Sequence, residues 1–306
     1  METKIEKSRK ENKKQGDRSL SMKVDIFDDS RCVLGEGPIW DSASQELRWV
    51  DIKSRKIYAK SLEGKDSSFL STIKMPSALG LCDSGSIIVA HQDEIVLLES
   101  LGSVLCPIGE REYNRSNDGK IGPDGRFWFG TMDNNEEIDS GCLYSWHPES
   151  GLQCHLRQIN ISNTFVWSPD AKYMYFADSK LQLIWRFTFD IQTSSLSKER
   201  EVFVSLKGTQ FYPDGSAMDV DGYLWNAQWG GSRVVRYSPD GQVDRVIELP
   251  VSQPTSCCFG GNNLEFLFVT SASIGVEHEV SAGQTFVIHT GQYDIFGEPV
   301  STLSGL

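Results

Sequence analysis

The sequence predicts an all-β fold, a single six-bladed β-propeller. Three observations point there. One pattern recurs six times along the 306 residues: a polar residue, a short apolar stretch, a Gly, Asp or Asn turn, then an apolar strand rich in aromatics. Each copy is followed by a second strand with period-2 alternation. No segment carries a 3.6-residue apolar stripe of helix length. A period of roughly 40 to 50 residues with four strands per unit is a propeller signature.

The six copies read GEGPIWDSASQELRWVD (35–51), SALGLCDSGSIIVAH (77–91), SNDGKIGPDGRFWFGT (116–131), SNTFVWSPDAKYMYFAD (162–178), PDGSAMDVDGYLWNAQW (213–229) and PTSCCFGGNNLEFLFVT (254–270). Their turns, at residues 85, 125, 171, 222 and 263 from the second copy onward, stand 40, 46, 51 and 41 residues apart. The alternating partners are KIYAKSL (56–62), EIVLLES (94–100), GCLYSWHP (141–148), LIWRFTFD (183–190), RVVRYSPD (233–240) and QTFVIHT (284–290). Asp-Gly turns between β-branched and aromatic runs specify hairpins. A ring escapes unpaired edges only by closing. The alternating stretch MKVDIF (22–27) is placed to add an outer strand to the last blade, whose inner strands come from the C-terminal segment. Residues 22–306 are then one propeller domain, and 1–21 a flexible charged tail.

The chain carries 42 acidic and 30 basic residues, a formal charge of −12. Residues 1–22 hold seven bases and four acids, so the body is more acidic than the total, at −15. That balance argues against a nucleic-acid partner. No apolar run reaches the ~18 residues of a membrane span, and the N-terminus lacks the apolar core of a secretory signal. Seven cysteines without a C-x-x-C suit a reducing compartment and give no support to thiolate-bound zinc. The expectation is a cytoplasmic protein, monomeric or a weak homo-oligomer, with neither membrane nor nucleic acid as partner.

Inner strands of a propeller line its channel, so equivalent repeat positions converge at one mouth. Counting eight residues back from each turn gives Ser77, Asn117, Asn163, Asp214 and Thr255; the first copy, with a slightly longer turn, gives Glu36. All six side chains bear oxygen. Two carboxylates converging in a channel repel and call for a counter-charge. Oxygen donors alone favour Ca²⁺, Mg²⁺ or Mn²⁺ and tolerate Zn²⁺. By spacing alone, Asn and Asp suit turns at the blade mouths equally well.

Other signals are weaker. The five histidines form no Ser-His-Asp or H-E-x-x-H arrangement, and no G-x-S-x-G is present. Glu277-His278-Glu279 reads as an exposed polar loop. Most tryptophans sit in strand patterns, and Trp229 beside Gly230-Gly231 is the one expected near a site. The acidic segment 133–139 reads as solvated surface, with a lid over the mouth as the sharper alternative.

Residues 33–298 resemble the SMP-30/gluconolactonase/luciferin-regenerating-enzyme-like (LRE-like) family. The motifs, in order, are G-E-G-P-x-W-D (Gly35 to Asp41), R-x-N-D-G-K (Arg115 to Lys120), P-x-G-R-F-W-x-G-T-M (Pro123 to Met132) and S-N (Ser162, Asn163). W-S-P-D (Trp167 to Asp170), F-A-D-S (Phe176 to Ser179), P-D-G (Pro213 to Gly215), L-W-x-A-x-W-G-G (Leu224 to Gly231) and P-T-S-C-C-F-G-G (Pro254 to Gly261) follow. The resemblance implies a six-bladed propeller with one catalytic divalent ion (Ca, Zn, Mn or Mg) held by Glu36, Asn163 and Asp214. It implies substrate contacts from Arg115 and Asn117, and hydrolysis of a sugar lactone. Asp214 is the ligand expected also to accept the proton of the attacking water. A substrate-contacting acid of the family aligns with Asn135, and Glu136 takes its place with a one-residue shift.

The chain departs from the pattern at several points. Gly122 stands where an Asp is usual, which removes a carboxylate expected behind the site. Thr164 and Phe165 follow Asn163 in place of Gly-Leu, Ser216 follows P-D-G, and Asn226 fills the variable position of L-W-x-A. The same scaffold could serve another ester or phosphotriester, or bind calcium without catalysis. A channel arginine beside the full donor set argues against the last.

Overall fold

The computed structural model describes residues 22–98, 103–109 and 111–306; the tail expected at 1–21 lies outside the described residues. The chain folds into six antiparallel sheets arranged as a β-propeller, as the repeat predicted, and the described residues contain no α-helix. Blade 1 holds Gly35–Asp41, Glu46–Asp51, Lys56–Ser61 and Ser68–Ser71. Blade 2 holds Pro76–Cys82, Ile87–His91, Glu94–Leu98 and Ser103–Pro107. Blade 3 runs through Asn114–Ile121, Phe127–Asp133, Gly141–His147 and Gly151–Ile159, and blade 4 through Ser162–Trp167, Tyr173–Asp178, Leu183–Asp190 and Ser195–Ser205. Blade 5 comprises Tyr212–Met218, Leu224–Trp229, Arg233–Tyr237 and Val243–Glu248. Blade 6 takes Pro254–Gly260, Phe266–Ser271 and Thr285–His289 from the C-terminal part and Val24–Asp28 from the N-terminal part. That closing strand pairs Val24 with Ile288 and Ile26 with Phe286, as expected of MKVDIF.

The first strand of each blade is innermost, and these six touch one another in closed order around the axis. Because both faces of a blade meet a neighbouring blade, alternate residues serve opposite interfaces. Met174 and Phe176 pack toward blade 3, Tyr175 and Ala177 toward blade 5. Among the described residues the apolar core divides into six clusters, one per interface. Cys257 and Cys258 obey the same rule, one on each face of blade 6, and all seven cysteines are free thiols.

No sequence pattern marks the element after blade 6. From Thr290 the chain turns and runs beneath the inner strands: Gly297 bridges Asp219, and Glu298 donates its N–H to Met218 O. Thr302–Leu303 then pairs in parallel with Leu81 and Cys82 on the inner edge of blade 2. This segment covers the lower end of the channel, over a cavity of about 140 Å³ between the inner-strand ends and residues 298–301.

Candidate metal and substrate site

Every inner strand carries one extra residue at its upper end. The register slips between Glu36 and Ile39, Pro76 and Ala78, Ser116 and Gly119, Asn163 and Val166, Pro213 and Ser216, and Pro254 and Ser256. Each slip is a β-bulge, which bends the strand and re-aims a side chain. The six ring residues lie within these bulges or directly before them, so the bulges turn them toward the axis.

Four of the six reach a common cavity of about 580 Å³ at the upper mouth: Glu36, Asn117, Asn163 and Asp214. Ser77 and Thr255 do not line it. Their hydroxyls are consumed between blades, Ser77 Oγ 2.5 Å from Ser116 Oγ and Thr255 Oγ1 donating to Gly35 O at 2.5 Å. Arg115, Glu136 and Trp229 also line the cavity. Asn135 does not. Glu277 and His278 lie exposed in a loop, as expected, and the Glu277 and Glu279 carbonyls accept from Arg31.

A directional chain of hydrogen bonds fixes the polar side chains. Arg115 Nη1 donates to Asn117 Oδ1 (2.6 Å), and Asn117 Nδ2 to Asn163 Oδ1 (3.1 Å). Asn163 Nδ2 donates to Ser179 Oγ (2.8 Å), which donates to Pro213 O (2.6 Å). The relay runs from blade 3 to blade 5 and sets the Asn163 amide with its oxygen on the side of Asn117. Ser179, at the end of F-A-D-S, was not singled out in the sequence, because it follows a second strand rather than an inner one.

Glu36 and Asp214 are buried, with their carboxyl groups within hydrogen-bond reach of each other. Burial pushes both well above the ordinary carboxylate range, and the field of Asp118 adds to it; Asp214 also feels Glu36. Asp118 lies near them and is pushed up to about 6, chiefly by burial, with Lys120 and the N–H groups of Gly119, Thr164 and Phe165 opposing. Burial also lowers Arg115 to about 10. Two neighbouring buried carboxyls beside an oriented amide oxygen make an oxygen donor set that suits a hard divalent cation. Such a cation relieves their repulsion. Glu36, Asn163 and Asp214 could hold it.

The departures from the family pattern at Thr164, Ser216 and Asn226 form one buried cluster beneath Asp214. Thr164 Oγ1 and Asn226 Nδ2 both donate to Asp214 O, at 2.6 and 2.9 Å, and Ser216 Oγ lies 2.9 Å from Thr164 Oγ1. Gly122, by contrast, closes its strand at the far end from Asn117. A side chain there would strike Asp124 Oδ1, which accepts from Trp128 Nε1 at 3.0 Å. In blade 5 the residue equivalent to Gly122, Asp219, accepts from Trp225 Nε1 at 2.9 Å. The carboxylate expected at 122 therefore belongs to the blade's tryptophan and is supplied from 124.

Three contributors were missed because they sit in loops outside the repeat: Lys53, Asn134 and Lys180. The segment 133–139 is held at both sides of the mouth. Lys53 Nζ, from blade 1, donates to Asn134 Oδ1 (2.8 Å), and Lys180 Nζ, from blade 4, to Glu136 O (2.6 Å). Asn134 and Glu136 line the cavity edge while residues 135–139 are exposed, so the segment is solvated surface at the rim of the mouth, the first of its two sequence readings.

A family model described as SMP-30/Gluconolactonase/LRE-like region matches residues 34–273. Regucalcin of Danio rerio is 32% identical over 270 residues, covering 86% of this chain and 91% of the relative. The 6-deoxy-6-sulfogluconolactonase of Pseudomonas putida is 36% identical over 249 residues, covering 78% and 84%. The crystal structure of a calcium-binding protein, regucalcin, from Agrobacterium tumefaciens str. C58 matches with a TM-score of 0.87 at 28% identity, over 93% of this chain and 98% of that one.

Proposed function

The chain belongs to the SMP-30/gluconolactonase/LRE-like family, and on that premise we propose that it is a divalent-metal-dependent lactonase that opens a sugar lactone to its aldonic acid. The observation that carries the reading is the contact of the Glu36 and Asp214 carboxyls beside the Asn163 amide, in a cavity shared with Arg115 and Asn117. A relative named as a sugar lactonase supports the reaction class, and one described as calcium-binding makes Ca²⁺ the first ion to try, ahead of Mn²⁺, Mg²⁺ and Zn²⁺.

Glu36, Asn163 and Asp214 would hold a divalent cation, which would supply Lewis acidity to the lactone carbonyl. Asp214 takes a proton from the water that attacks the carbonyl carbon, a role suited to a carboxylate that lines the cavity beside the donor set. Collapse of the tetrahedral adduct breaks the bond from the carbonyl carbon to the ring oxygen, and that proton passes to the departing oxygen. Arg115 Nη2, which donates to none of the described residues, and the Asn117 amide orient the sugar and then the new carboxylate. Glu136 accepts from sugar hydroxyls at the cavity edge.

The test is proton release from a panel of aldonolactones, with and without chelator, for wild type, E36A and D214A. Chelator-sensitive turnover lost in both folded variants is expected. Full turnover in either variant would sink the assignment. Calcium binding without turnover of any lactone would leave a cation-binding propeller as the function.

A further inference from the structure

We propose that the substrate carries a second, anionic group, a carboxylate, sulfonate or phosphate remote from the lactone carbonyl, and that Lys53 together with Arg115 receives it. The inference rests on the lactonase reading of the site and names its substrate class.

Lys53 Nζ and Arg115 Nε donate to the same atom, Asn134 Oδ1, at 2.8 and 3.0 Å. Two cations are therefore held within about 6 Å of each other across one neutral oxygen, a separation at which like charges repel. Lys53 registers this: partial burial lowers its pKa, and the field of Arg115 lowers it further, with only Glu136 opposing. Neither base is ion-paired with a described carboxylate. An amide oxygen satisfies hydrogen-bond geometry but not charge, so an anion entering between Lys53 and Arg115 would gain from both.

Charge over the whole cavity points the same way. Its wall carries the acids Glu36, Glu136 and Asp214 and the bases Lys53, Arg115 and Lys180. With a divalent cation on Glu36 and Asp214, three bases face Glu136 alone. Space is also present, since a hexonolactone of about a dozen heavy atoms is small for a cavity of about 580 Å³. Leu34, Ile161, Trp229 and Ile274, the apolar part of the lining, offer a charged group nothing, which leaves the bases to receive it.

The experiment compares a neutral hexono-1,5-lactone with the same lactone bearing carboxylate, sulfonate or phosphate at C6, in wild type, K53Q and K53R. At least a tenfold advantage in kcat/KM for the anionic members is expected, falling as ionic strength rises. K53Q should bring the anionic-to-neutral ratio close to one and K53R should keep most of it. The three anions separate by charge and geometry within the same series. A wild-type ratio near one, or a ratio unchanged in K53Q, would overturn the inference. If no lactone turns over, the lactonase reading fails by itself. Calorimetry with the open-chain hexonate and hexarate then still reads the subsite, equal affinities or an unaltered preference in K53Q being the overturning result.

Discussion

Lys60 Nζ, on the third strand of blade 1, lies 3.1 Å from Asp28 Oδ2, on the strand that closes blade 6. The same ammonium donates to Phe27 O at 2.8 Å and sits 5.2 Å over the Phe27 ring. Both side chains are buried, so the seam of the ring is fastened by an ion pair between the first strand and the blade it would otherwise leave exposed. Burial pushes the Asp28 carboxyl up, but hydrogen bonds from Ser30 and Lys60 outweigh it and hold it below the ordinary value. K60M is expected to cost about 3 kcal/mol in urea unfolding, because it strands a buried carboxylate. The contribution of the pair should be fully present above about pH 4 and lost as acid protonates Asp28. K60M/D28L together should recover part of the loss.

Thr164 adopts φ +60°, a left-handed conformation that a β-branched residue rarely takes, and Gly37 adopts φ +52° at the equivalent place in blade 1. The Thr164 hydroxyl offsets that strain through its bond to Asp214 O. Removing the hydroxyl while keeping a β-carbon should therefore be worse than removing both. T164A is expected to be less stable than T164G by about 1 kcal/mol, the reverse of the usual order. Parallel denaturation curves decide it.

His155 stacks on Trp128 with ring centroids 4.3 Å apart, and its Nε2 lies 2.8 Å from Ser145 Oγ. Burial, with a smaller contribution from Arg126, pushes it down to about 4. A histidine held neutral in the fold contributes stability above its unfolded pKa of about 6.5, and that contribution falls as pH drops toward 4. The raised carboxyls of Glu36 and Asp214 titrate in the opposite sense, so the informative comparison is wild type against H155F. Between pH 7.5 and 5 the wild type should lose about 1 to 2 kcal/mol relative to H155F. Parallel pH profiles would contradict the assignment.

The Glu36–Asp214 contact makes the cation-free protein less stable than it could be. Without added metal at pH 7.5, E36Q is expected to be about 1 to 2 kcal/mol more stable than wild type, since it removes a buried carboxyl whose ionisation the fold opposes. With Ca²⁺ at a hundred times its dissociation constant the wild type should gain about 2.7 kcal/mol by mass action, and E36Q little of it. Thermal unfolding with chelator and with Ca²⁺ reads both effects.

The ring residues were legible because a propeller repeats one backbone course, so a fixed offset from each turn returns to the same place in every blade. The offset located Glu36, Asn117, Asn163 and Asp214 at one mouth, but it could not tell that the short hydroxyls of Ser77 and Thr255 bond between blades instead. Lys53, Asn134 and Lys180 were illegible for the converse reason. They lie in loops whose lengths differ from blade to blade, and only the folded ring brings blade 1 and blade 4 against the same segment of blade 3. Gly122 was misread because sequence alignment cannot show which end of a strand faces the cavity. The pairing of Thr302–Leu303 with blade 2 involves two residues, too few to leave a pattern.

That last pairing has a bearing on rigidity. Residues 294–303 bond to Met218 and Asp219 of blade 5 and, through Thr302–Leu303, to blade 2, so one segment ties together two blades that are not neighbours in the ring. It spans the ring as a strut and opposes the outward drift of either blade.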